Sequence, residues 1–196
     1  MRKKSIRRSV DDFQACCDAI DAFVAELETK GLGDQSLSWG YDYAIIRLYR
    51  EFESLMLDCI VASINNDTAT LSTTTGITFP KHLTDEVCEY IVIGDGYFDF
   101  RGRAGLIQML KRFVPDAHFL IIVTKNPRYR DCLEKLSALR NYAAHESAQA
   151  KRRVLESVNQ RRIGSAGAWL KTQGRLKAMT DDLRSFASEL KVNARY

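Results

Sequence analysis

Residues Ser38 to Ile64 read SWGYDYAIIRLYREFESLMLDCIVASI, and this stretch decides the fold. Tyr41, Ala44, Ile45, Leu48, Phe52, Leu55, Met56, Cys59 and Ile60 recur at steps of three and four, the spacing of one helix face. A stripe this long, aromatic and aliphatic together, predicts the central helix of a helical bundle.

Working outward, Val10–Lys30 predicts a second helix, with Phe13, Ala15–Cys17, Ile20, Phe23, Val24 and Leu27 on its apolar side. Ser9 is the expected N-cap, Asp11 and Asp12 suit the first turn, and Gly31-Leu32-Gly33 ends it. Downstream, the Asn-, Thr- and Ser-rich segment Asn65–Gly76 predicts a loop. A shorter helix is expected over Leu83–Ile93, then a Gly94-Asp95-Gly96 turn, then a helix from Ala104 to Phe113 before Pro115. The run Phe119–Val123 fits a buried strand or a buried helix by periodicity, and its helical surroundings favour helix. Asn126 as N-cap and Pro127 at the first position open another helix, through Cys132, Leu133, Leu136, Leu139, Tyr142 and Ala143 to about Ser147. Ala166–Val192 is the last amphipathic stretch. With neither repeat nor linker, residues 1–196 are expected to form a single all-α, up-and-down bundle, with a basic N-terminal tail over about 1–8.

Composition agrees with a folded core. Of 196 residues, 45% are hydrophobic and only 3 are proline, which argues against disorder away from the ends. Acids at Asp11, Asp12, Asp18 and Asp21 interrupt any signal-peptide pattern after the basic start, and the longest apolar run, Phe119–Val123, is far below the ~20 residues of a membrane span. A cytoplasmic chain with no membrane partner is expected. Cys16, Cys17, Cys59, Cys88 and Cys132 form no C-x-x-C pair and are expected to be free thiols.

The net charge of +4 is mild but unevenly placed. From Lys151 to Tyr196 eleven Lys and Arg face four acids, a local net +7 that suits a polyanion such as RNA. Alone, a charge run is usually just a solvated helix face.

Catalytic signals are few. His82 and His118 lack a carboxylate or second histidine at ligand spacing, no acidic cluster suggests a two-metal nuclease, and Gly94, Gly96, Gly102 and Gly105 lead to no Lys-Ser/Thr phosphate loop. No metal or cofactor is therefore expected. His145 is different. It ends Leu136-Ser-Ala-Leu-Arg-Asn-Tyr-Ala-Ala-His145, where Asn141 lies one helical turn behind it and Arg140 is adjacent to Asn141. Ala143 and Ala144 keep the intervening surface low. A histidine titrates near neutrality, a guanidinium grips phosphate oxygens, and an amide orients either. By spacing alone, an Arg and His that complement a helix C-terminus are the commoner case, since the two residues five apart are a common accident.

At these residues the chain resembles the HEPN superfamily, in particular its RiboL-PSP-HEPN branch, whose signature is Arg, four to six residues, then His, often with Asn after the Arg. Here that is Arg140-Asn141-Tyr142-Ala143-Ala144-His145, preceded by Leu136 and Leu139. The run Arg50-Glu51-Phe52-Glu53-Ser54-Leu55 is similar to an aromatic-acidic element of such domains. The resemblance spans about residues 10–190, with only the Arg-Asn-x-x-x-His segment specific. It implies a helical bundle dimerising through the motif helix, and a metal-independent endoribonuclease of toxin or defence type that leaves a 2′,3′-cyclic phosphate. Arg140 and His145 would be the catalytic pair and Asn141 an orienting residue, with Arg152, Arg153 and Tyr142 on the substrate. The implied partners are RNA, a second copy and an antitoxin or defence protein. Some HEPN domains are instead non-catalytic modules that bind a protein or nucleic acid. Whether Tyr142 and Glu146 assist, or only pack and cap, stays open in the sequence.

Overall fold

A computed structural model describes residues 3–194. Among them every regular element is helical: α1 (Ile6–Thr29), α2 (Asp34–Asn66), α3 (Ala69–Thr75), α4 (Asp85–Ile93), α5 (Gly102–Leu110), α6 (Phe119–Lys125), α7 (Arg130–His145), α8 (Ala148–Ser157), α9 (Ala166–Leu170) and α10 (Arg175–Asn193). The all-α expectation holds. No helix among the described residues is long and apolar enough to cross a membrane. The chain divides into two compact units: Met1–Phe13, Phe52–Asn126 and Phe186–Tyr196 form one, Gln14–Glu51 and Pro127–Ser185 the other.

The first unit is organised on Phe52, which is fully buried. Phe13, Phe100 and Phe186 surround it with ring centroids 6.1, 6.0 and 5.5 Å away, in tilted and edge-on contacts. Each buried ring removes large apolar area from water, worth roughly 1.5–3 kcal/mol. At its edge Lys4 is tied down by three acids: its amide donates to Asp85 at 2.7 Å, and its ammonium pairs with Asp58 and, at 3.3 Å, Glu89. Burial works to lower the Lys4 ammonium, but hydrogen bonding and charge from Asp58 and Glu89 outweigh it and hold it above the usual lysine value. Arg103 joins α5 to α6 by donating to the Thr124 carbonyl at 2.8 Å and to that of Lys125.

The second unit holds the motif helix. Arg184 on α10 bonds Asp18 at 2.8 Å and Asp21 at 2.7 Å on α1. Against α2, α9 comes unusually close: a Cβ added at Gly167 would lie 1.9 Å from the Ser38 carbonyl oxygen, so only glycine fits. There the Gly167 N–H donates to the buried Asp42 carboxylate at 2.6 Å.

Several boundaries differ from expectation. Ser9 is no cap, because α1 starts at Ile6, and the Ser9 hydroxyl instead donates to Asp58 at 3.0 Å and to the Ser5 carbonyl. Part of the expected Asn65–Gly76 loop is α3, whose Thr73, Thr74 and Thr75 hydroxyls donate back to carbonyls four residues earlier. Asn126 closes α6, its N–H donating to the Val123 carbonyl at 3.1 Å. Pro127–Tyr129 then makes one 3-10 turn, so α7 begins only at Arg130. Residues Ala148–Ser157 form a helix that no apolar stripe in the sequence announces, and Gly174, with φ +63, precedes α10. The five cysteines are free, and all but the half-buried Cys16 are buried. Arg2 and Arg195, counted in the basic ends, lie outside the described residues.

Candidate functional site

The motif occupies the last turn and a half of α7. Cys132, Leu133, Leu136, Leu139 and Tyr142 turn inward, which fixes the helix rotation and sets the other side outward. Glu146 stops the helix by taking a left-handed conformation, φ +44, with its N–H donating to the Tyr142 carbonyl. Ser147 then caps α8, its hydroxyl accepting from the Ala150 N–H at 3.2 Å. Two residues thus separate the motif helix from α8, and the two helices pack together.

Arg140 is half-buried and held twice. Its guanidinium carbon lies 4.7 Å from the centre of the Tyr49 ring on α2, and one of its nitrogens donates to the Asn141 side-chain oxygen at 2.9 Å. His145 is exposed at the helix end, and its ring makes no hydrogen bond or ion pair among the described residues. The structure therefore joins Arg140 to Asn141 and leaves His145 unengaged.

Tyr142, expected on the substrate, is only 5% exposed, and its hydroxyl donates to the Gly164 carbonyl at 2.8 Å. That position packs α7 onto the segment before α9. Burial first, then the charges of Glu146 and Asp42, push the phenol above its usual value. Glu146 caps.

Arg152 and Arg153 are exposed on α8, together with Lys151, and Arg161 and Arg162 follow in the next loop. None of these five pairs with an acid among the described residues. The rest of the basic final third is occupied differently. Lys171 pairs with Asp34, Lys177 with Asp181, Arg184 with Asp18, Asp21 and Asp181, and Lys191 with Asp11, while Arg175 lies over Trp169 at 4.5 Å. Among the described residues of this final third, the cations without an acid partner thus concentrate soon after the motif.

Two residues near the motif were not foreseen. Tyr49, the platform under Arg140, is fully buried and had only its place on the long helix to mark it. Asp42 stands between apolar Tyr41 and Tyr43, an acid in a hydrophobic neighbourhood, and that was a usable signal. No family model, curated protein or solved structure matches the chain.

Proposed function

We propose that the protein is a metal-independent endoribonuclease of the HEPN type, acting as a homodimer. The observation that carries the reading is an exposed, unengaged His145 at the end of α7, followed within two turns by the unpaired Arg152 and Arg153. Phosphodiester transesterification needs a base to take the 2′-hydroxyl proton while that oxygen attacks phosphorus, and an acid to protonate the departing 5′-oxygen. The products are a 2′,3′-cyclic phosphate and a free 5′-hydroxyl. One chain supplies one motif histidine, so a two-fold partner supplies the second role. Arg140 keeps donors beyond the one given to Asn141, and these suit a phosphate whose charge grows in the transition state. Lys151, Arg152, Arg153, Arg161 and Arg162 hold the strand electrostatically. The resemblance to HEPN proteins adds a toxin or defence setting and a restraining protein partner.

The test is incubation of RNA with the full chain in excess EDTA. Cleavage is expected, falling by roughly 10²–10⁴ in His145→Ala, the usual worth of a general acid or base. DNA, lacking the internal nucleophile, stays intact. Uncleaved RNA with the wild-type chain, or undiminished cleavage by His145→Ala, rejects the reading.

A second reading has an observation of its own. Arg140 is engaged by Tyr49 and Asn141, as a structural cation would be. In that case the domain is a binding module, and RNA binds without products and regardless of His145→Ala.

A further inference from the structure

The outer face of α2 in the second unit carries two large aromatic side chains that the core does not use. Trp39 is 60% exposed and Tyr43 58%, one helical turn apart. Arg47 follows one turn beyond Tyr43, and Arg50 lies on the same face, exposed and without an ion-pair partner among the described residues. Arg47 is paired with Glu51 at 2.8 Å. The spacing makes a row of ring, ring and guanidinium along about 17 Å of helix. Phe23 of α1 meets the Tyr43 ring edge-on at 5.6 Å, fixing its tilt. Gly40, between the two rings, admits Leu27 of α1 where any Cβ would lie 2.3 Å from it, so α1 and α2 hold each other closely beneath the face.

We infer that Trp39, Tyr43 and Arg50 form a stacking platform for unpaired bases, so that the substrate of the proposed nuclease is single-stranded RNA. The inference rests on the RNA reading above. Every base has a π-face that an exposed ring can cover, whereas a duplex hides its bases inside. Charge decides the occupant: Arg50 on the platform and Lys151, Arg152, Arg153, Arg161 and Arg162 in the same unit are exposed and unpaired, which complements a phosphate backbone. The platform reads no sequence, because stacking tolerates all four bases.

The chain contains two tryptophans, and the indole nitrogen of Trp169 is buried, so Trp39 is the solvent-facing reporter. The experiment titrates the His145→Ala variant of the full chain, in which cleavage is expected to be slow on the timescale of the titration, with a mixed-sequence single-stranded RNA and with the same strand annealed to its complement. Saturable quenching by the single strand and little by the duplex is expected. Trp39→Ala weakens single-strand binding at least about fivefold, the low end for one stacked base. Trp39→Phe keeps the affinity and removes the signal. Arg50→Ala reduces the slope of log affinity against log salt by about one. Unchanged affinity in Trp39→Ala, with circular dichroism confirming its helices, overturns the platform. So does equal quenching by duplex, or a change from dimer to monomer in Trp39→Ala, which would assign the face to a protein contact. The expected binding by a wild-type protein that leaves RNA whole upholds the platform and removes the nuclease. Normal cleavage and normal affinity in Trp39→Ala remove the platform and leave the nuclease.

Discussion

Asp42 is a carboxylate placed where its charge is poorly solvated. Burial raises its proton affinity, only partly countered by the Gly167 N–H and the Ser165 hydroxyl, while Glu146 adds to the rise. Well below about pH 3.9 the folded and unfolded chains both hold the proton. Above that value the unfolded chain loses it first, so the folded state binds more protons and its stability falls as pH climbs to the raised value. Beyond it the penalty is constant. Asp42→Asn keeps an oxygen for Gly167 and carries no charge. It is therefore expected to be at least as stable as the parent at pH 7 and to lose less stability over the acidic window. Urea midpoints measured across pH check this, and an Asp42→Asn variant much weaker than the parent at neutrality would contradict it.

At the scale of elements, α8 is the piece on which the basic face depends. Only Ala150 and Val154 of its ten residues are buried, so its hold on the rest comes from few contacts and from the Ser147 cap. Ser147→Ala is expected to cost about 1 kcal/mol, seen as a lowered midpoint in denaturant, and to speed hydrogen exchange in Ala148–Ser157 more than in α2. The same sparse burial explains why α8 escaped the sequence: Lys151-Arg152-Arg153 masks a two-residue apolar signal. By contrast, α2 was legible because its inward face repeats over many turns. Its own N-terminal turn was not, since Asp34–Leu37 lie mostly in solvent and carry no stripe. α3 was hidden by threonines, whose hydroxyls satisfy carbonyls within the helix instead of turning the chain. The motif residues were visible as a spacing, but the Tyr49 ring beneath Arg140 is a long-range contact that no local pattern records.

For the molecule as a whole, neither compact unit is a continuous stretch. The motif unit combines Gln14–Glu51 with Pro127–Ser185, and α1, α2 and α10 each give residues to both units. A fragment spanning 127–185 would therefore lack Tyr49 for Arg140, Asp42 for Gly167, and Asp18 and Asp21 for Arg184. Short helices without tertiary packing are marginal in water. That fragment is expected to show largely unfolded circular dichroism and no cooperative melt, and a sharp thermal transition would disprove the interdependence.

The interleaving also governs how the chain is born. A ribosome must translate through α10 before either unit possesses all its parts, because Arg175–Ser185 completes one and the residues from Phe186 onward complete the other. A nascent chain whose α7 still sits inside the tunnel has Tyr49 without the Arg140 that lies over it, and each unit receives its last segment only with α10.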